Sequence, residues 1–186
     1  MLRVVFFALL LIAGSASAIT IKFVNKCDHP VWAAIAAAPN GVPNPNISWG
    51  KKLTHGEHAS HKVSDTAIGV RSWGRTGCNE NGGNCKTGAC NGGLKCTDGG
   101  ITAGVILGEY GHADFGACCG GKRTSWDLSI VDSGLNMPTK LHSSDGQSVA
   151  CTKKPCNPDK VYTYATDYAA DRNSKLGATY THTFCP

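Results

Sequence analysis

The stretch from Gly83 to Cys96 reads Gly-Asn-Cys-Lys-Thr-Gly-Ala-Cys-Asn-Gly-Gly-Leu-Lys-Cys and offers almost nothing apolar to bury. Such a segment cannot hold a shape by core packing, so covalent cross-links must hold it. Zinc and disulfides are the two candidates for Cys85, Cys90 and Cys96. The spacings are not the paired two-residue gaps of zinc modules, and the N-terminus decides the matter.

Arg3 supplies a positive start, Val4 to Ile12 an unbroken apolar run, and Ala16-Ser17-Ala18 a small-residue cleavage site. Residues 1–18 therefore read as a secretory signal and 19–186 as the mature domain. The apolar run is too short for a membrane span, and no second candidate of about 18 residues follows. The mature chain is expected outside the cell or in the cell wall, in an oxidising compartment. All 10 cysteines lie in it, an even number, as a disulfide framework requires.

The formal charge of +5 falls to about +4 once Arg3 is removed, and the lysines and arginines are dispersed rather than run together. That argues against nucleic-acid binding. It suits acidic walls or anionic membranes without choosing between them. Ile19 to Val24 alternates apolar and polar residues as a half-buried strand does, and further short strands are expected at 70–75, 126–132, 161–165 and 178–184. Val31 to Ala38 is alanine-rich, but its place just after a strand and a cysteine fits a continuing sheet at least as well as a helix. Turn-rich pieces at 39–46 and 79–83 separate these runs. Many short strands with such connections predict an all-β sandwich.

The cysteine-rich stretch, from Asn81 through Cys85-Lys86-Thr87-Gly88-Ala89-Cys90 to Gly92 and Cys96, resembles the signature of the thaumatin-like proteins, the osmotin and PR-5 defence family. Asn81 stands where that signature has glycine and Ala89 where it has aspartate. The resemblance continues through Phe23 to Cys27 with Val31 to Ala34, Trp73 to Cys78, Asp127 to Asp132 with Asn136-Met137-Pro138, and Tyr180 to Pro186. Only Thr139 to Pro155 stands where full-size members insert a disulfide-rich lobe, so the chain resembles the small ten-cysteine subgroup. The fold implied is a thaumatin-like β-sandwich stapled by about five disulfides, with the second lobe largely missing. The pairings implied are Cys27 with Cys185, Cys78 with Cys85, and Cys90 with Cys96. Cys118 and Cys119 are expected to pair with Cys151 and Cys156, in an order left open. A local Cys151–Cys156 bond would instead leave Cys118 and Cys119 as a reducible pair.

The resemblance also implies a surface cleft lined by Arg71, Glu109, Asp127, Asp132 and Asp167. Clustered carboxylates raise one another's pKa, which lets one stay protonated beside an ionised neighbour. Glycoside hydrolysis needs such a pair, here Glu109 as acid and Asp127 as base or nucleophile. The same groups can also bind sugar hydroxyls without cutting, or form a plain ion-pair network with Arg71. Asp127 and Asp132 are five apart, so both reach one cleft only if the strand bulges or ends between them. Tyr110, Trp126 and Tyr164 could stack on sugar rings, although core packing is the simpler role for Trp126. His55, His58 and His61 would not share one face of an extended segment, and neither metal nor cofactor is expected. Asn46-Ile47-Ser48 is a glycosylation sequon.

The function expected is that of a secreted defence or wall protein binding β-1,3-glucan-type polysaccharide, with antifungal activity through wall binding or membrane disruption. With the lobe gone, an open groove positions a sugar poorly, so binding without efficient turnover is expected. A weak endo-β-1,3-glucanase is the alternative, and an inhibitor of secreted glycoside hydrolases such as xylanase a further one. The expected partners are β-glucan or another wall polysaccharide, or a secreted enzyme. Neither nucleic acid nor stable membrane insertion is expected, and the chain is expected to be a monomer.

Overall fold

The computed structural model describes residues 17–131 and 133–186, so most of the expected signal segment and Asp132 lie outside the described residues. One sheet is built from β1 (Ala18–Asn25), β4 (His58–Ser64), β8 (Thr139–Ser143), β9 (Ser148–Cys151) and β11 (Thr179–Phe184). The other contains β2 (Val31–Ala37), β3 (Ser48–Leu53), β5 (Val70–Arg75), β6 (Leu107–Asp114), β7 (Lys122–Ser129) and β10 (Arg172–Lys175). Their orders are β4–β1–β11–β8–β9 and β10–β7–β6–β5–β2–β3. All pairings are antiparallel except that of β1 with β11, which run side by side. The all-β sandwich expected from the sequence is the fold that forms.

Period-two alternation sets the inner faces. Ile19, Ile21 and Phe23 of β1 meet Tyr110 of β6 and Trp126 and Leu128 of β7 in one core between the sheets. A few polar groups in that core satisfy one another. The Ser72 hydroxyl lies 3.0 Å from the Tyr110 hydroxyl and 2.9 Å from Nδ1 of His182. The Trp126 indole donates to Ser174 at 2.8 Å.

The alanine-rich run is a strand, and every residue of β2 is buried. Val31, Ala33, Ile35 and Ala37 face the central core, while Ala34 and Ala36 face outward under a second apolar cluster with Trp73, Cys96, Ala103 and Val105. Small side chains on this outer face let the glycine- and cysteine-rich segment lie against the sheet. A Cβ on Gly50 would sit 1.8 Å from the Leu94 carbonyl oxygen, and one on Gly100 would sit 2.6 Å from the Trp73 ring. Arg75 fixes the segment from beneath. Its fully buried guanidinium donates to the carbonyls of Trp32, Gly82, Gly93 and Leu94 at 2.7–3.2 Å. Desolvation lowers its pKa to about 10.

Two strand expectations need correction. The strand expected at 126–132 starts earlier and ends at Ser129. The strand expected at 161–165 is a loop with a single bridge, Ser129 to Tyr162. There the Asp167 carboxylate accepts from the Thr163 amide and hydroxyl at 3.3 and 3.1 Å, folding the segment into a turn instead of extending it.

Five disulfides join Cys27–Cys185, Cys78–Cys85, Cys90–Cys96, Cys118–Cys119 and Cys151–Cys156. The cross-pairing expected for Cys118 and Cys119 with Cys151 and Cys156 does not occur. Cys118 and Cys119 sit on the exposed tip of the β6–β7 hairpin, whereas Cys151 ends β9 in the other sheet and is buried with Cys156. Each pair therefore closes locally. Thr139 to Pro155, where a lobe is inserted in larger chains, forms only the β8–β9 hairpin and a following turn.

Candidate functional site

Pairing register brings three charged side chains into one row. Arg71 of β5 pairs with Glu109 of β6, and Glu109 pairs with Asp127 of β7. All three alternate with core residues (Val70 and Ser72, Tyr110, Trp126 and Leu128), so all three project from the outer face of the six-stranded sheet. They line a groove of about 600 Å³. One wall is the loop carrying Gly100, Ile101 and Gly104, and the other carries Tyr162, Ala165, Tyr168 and Asp171.

The row is electrically uneven. Arg71 Nε donates to Glu109 Oε1 at 3.4 Å and its Nη1 to the Gly99 carbonyl at 3.4 Å. Among the described residues no cation is paired with Asp127, and its Oδ1 is buried without a hydrogen-bond partner. Burial, then Glu109, then Asp171 push the Asp127 carboxyl well above the usual carboxylate range. Burial, with Asp171 and Asp127 behind it, also pushes the Tyr162 phenol up to about 12.

Other expected positions fall elsewhere. Asp167 is buried, turned onto Thr163, and does not line the groove. Its place is taken by Asp171, which accepts from the Ser125 hydroxyl at 2.8 Å. Asp132 lies outside the described residues, although β7 does end between it and Asp127. Tyr110 and Trp126 are core residues, while Tyr164 is exposed outside the groove lining. The aromatic groups in the groove are Tyr162 and Tyr168, the latter 73% exposed on the rim. Neither stands in a periodic run, so no sequence pattern singles them out.

His55 lies in a turn, 2.8 Å from the Cys27 carbonyl, and His61 stacks on Trp49, so the histidines at 55, 58 and 61 are not gathered. Among the described residues no three His, Cys, Asp or Glu side chains are arranged to hold a metal, and no helix is long and apolar enough to cross a membrane. Asn46 occupies an exposed turn.

Two stacked sheets, five local or end-joining disulfides and an open charged groove define a disulfide-stapled β-sandwich. The thaumatin family profile matches residues 25–161, and the chain belongs to that family. Pathogenesis-related protein 1A/1B of Hordeum vulgare is 31% identical over 185 residues, covering 98% of this chain and 97% of its own. Thaumatin-like pathogenesis-related protein 2 of Avena sativa is 34% identical over 188 residues, with 98% and 96% covered. Among solved structures, the thaumatin-like xylanase inhibitor TLXI superposes with a TM-score of 0.60 at 25% identity, over 89% of this chain and 99% of its own.

Proposed function

We propose that this thaumatin-family protein is secreted, after cleavage following Ala18, and binds β-1,3-glucan-type wall polysaccharide in the groove, with antifungal activity as the consequence. The observation that carries this reading is the Arg71–Glu109–Asp127 row on the floor of a groove with Tyr168 exposed on its rim. Sugar hydroxyls are both donors and acceptors. Glu109 accepts from them, Arg71 donates, and a protonated Asp127 does both, while Tyr168 offers a ring face for stacking. Asn46 is an accessible acceptor for glycosylation.

Co-sedimentation with insoluble β-1,3-glucan tests the reading. Wild type should pellet with the glucan, and Glu109→Gln and Tyr168→Ala should each weaken binding by about tenfold, the scale of one lost charge-assisted hydrogen bond or stacking contact. Failure of wild type to pellet would refute it. If weak endo-β-1,3-glucanase activity accompanies binding, Asp127 is the acid and Glu109 the base or nucleophile, and a reducing-sugar assay should lose its signal in Asp127→Asn.

The likeness to a xylanase inhibitor favours a second reading, inhibition of a secreted xylanase through the loops. Tight inhibition unaffected by Glu109→Gln would support it over the groove.

A further inference from the structure

The five strands β4, β1, β11, β8 and β9 contain no aspartate or glutamate. Their solvent face is ordered in rows by register. Lys62, Thr20 and Thr179 form one row. Ser60, Lys22, Thr181, His142 and Ser148 form the next. His58, Val24, Thr183, Lys140 and Ala150 form the third. Each row holds one lysine, and Lys62, Lys22 and Lys140 run diagonally across the sheet. Strand and residue spacings place their Cα atoms about 8 Å and about 12 Å apart. Among the described residues none of the three is in an ion pair.

Three carboxylates stand at the rim, outside the strands, rather than on this face. Glu57 accepts from the Thr54 amide, Asp145 from Gln147, and the buried Asp65 from Gly177. The groove carboxylates Glu109 and Asp127 belong to the opposite sheet, and Asp171 directly precedes its strand β10. The outer face of the five-stranded sheet is thus basic, with three lysines and no carboxylate among its strands.

We propose that the outer face of the five-stranded sheet is a second binding surface, for a linear polyuronate: an acidic polysaccharide whose successive sugars each carry a carboxylate. Charge complementarity selects a polyanion. A diagonal of separated cations between rows of threonine and serine hydroxyls suits an extended carboxylate-bearing chain, which also presents hydroxyls to be bonded. An anionic membrane would call for aromatic or large apolar side chains to insert, and the face has only Val24 and Ala150 besides its polar groups. This surface is independent of the groove.

Calorimetric titration of the whole protein with polygalacturonate, at low and at physiological salt, tests the proposal. The parallel ligands are fully methyl-esterified polygalacturonate and vesicles containing anionic phospholipid. Binding should be present with the acid form, absent with the ester, and weakened by salt. Lys22→Glu with Lys140→Glu should reduce affinity at least about tenfold. Lys95→Glu with Lys122→Glu alters net charge equally but lies off this sheet, and should reduce it less than about twofold. If the glutamate pair unfolds the sheet, Lys22→Gln with Lys140→Gln should give a smaller loss in the same order. Absence of polygalacturonate binding, equal losses in the two double variants, retention on the ester, or binding to vesicles alone would overturn the proposal.

Discussion

Glu109 and Asp127 face each other directly across β6 and β7, yet only Glu109 touches a cation. Arg71 bonds the first, while the second keeps a buried, unpartnered oxygen. Burial first, and then the neighbouring Glu109 and Asp171, raise the Asp127 carboxyl well above the usual carboxylate range.

That asymmetry sets a pH dependence. The Asp127 carboxyl is pushed above its unfolded value, so the folded state holds its proton over a pH range in which the unfolded chain has released it. Stability must fall as pH rises from the unfolded aspartate value towards the folded one. Asp127→Asn removes this term, so its melting temperature should exceed that of wild type at neutral pH, and the difference should shrink on acidification towards pH ~4. Thermal melts from acid to neutral pH check this. A variant less stable than wild type at neutral pH would contradict it.

His182 acts in the opposite direction. Burial lowers its pKa to about 3, with Nδ1 beside Ser72 and Nε2 unpartnered. Between about pH 6.5, its ordinary value, and the folded value, the unfolded chain binds a proton that the folded protein refuses. Stability is therefore lost as pH falls through that window, by at most about 1.4 kcal/mol per pH unit. Urea midpoints of His182→Gln should depend on pH less steeply between about pH 6.5 and pH 4 than those of wild type.

Arg75→Ala should detach the glycine- and cysteine-rich segment from the sheet. It strips four carbonyls of a charged donor and should cost about 3–5 kcal/mol in denaturant unfolding, the scale of a broken buried charge contact. Limited proteolysis should then cut within 77–105 before the rest of the chain. Arg75→Lys should rescue only part of the loss, since one ammonium cannot reach all four carbonyls.

Gly50→Ala tests the close approach of that segment from the other side. The added methyl would collide with the Leu94 carbonyl, so the segment must move away. A loss of about 1–3 kcal/mol is expected, as for other overpacked sites. Calorimetry should detect it even though alanine is otherwise harmless in an extended backbone.

Much of the sandwich is legible in the chain itself. The two terminal strands stand out because buried and less buried positions alternate strictly along them. β2 is ambiguous because both its faces are covered, which erases alternation and leaves only small apolar residues. The pairing of Arg71, Glu109 and Asp127 depends on register between strands far apart in sequence, which their local patterns do not encode; only resemblance suggested it. Asp167 and Asp171 lie four residues apart in a loop without periodicity, and two bonds from the Thr163 amide and hydroxyl turn Asp167 away from the groove that Asp171 lines. The partners of Cys118 and Cys119 depended likewise on which sheet each neighbouring strand joined.

The parallel pairing of β1 with β11 has a kinetic consequence. During synthesis β1 emerges early, but its neighbour on that side arrives only with the final strand, and the Cys27–Cys185 bond spans 158 residues. Until then one edge of β1 has only unsatisfied amides and carbonyls to offer, a template for pairing with the wrong chain. Contacts of such sequence separation also place the fold among slow, high-contact-order topologies. Yield on refolding should accordingly depend on protein concentration more steeply than native stability does.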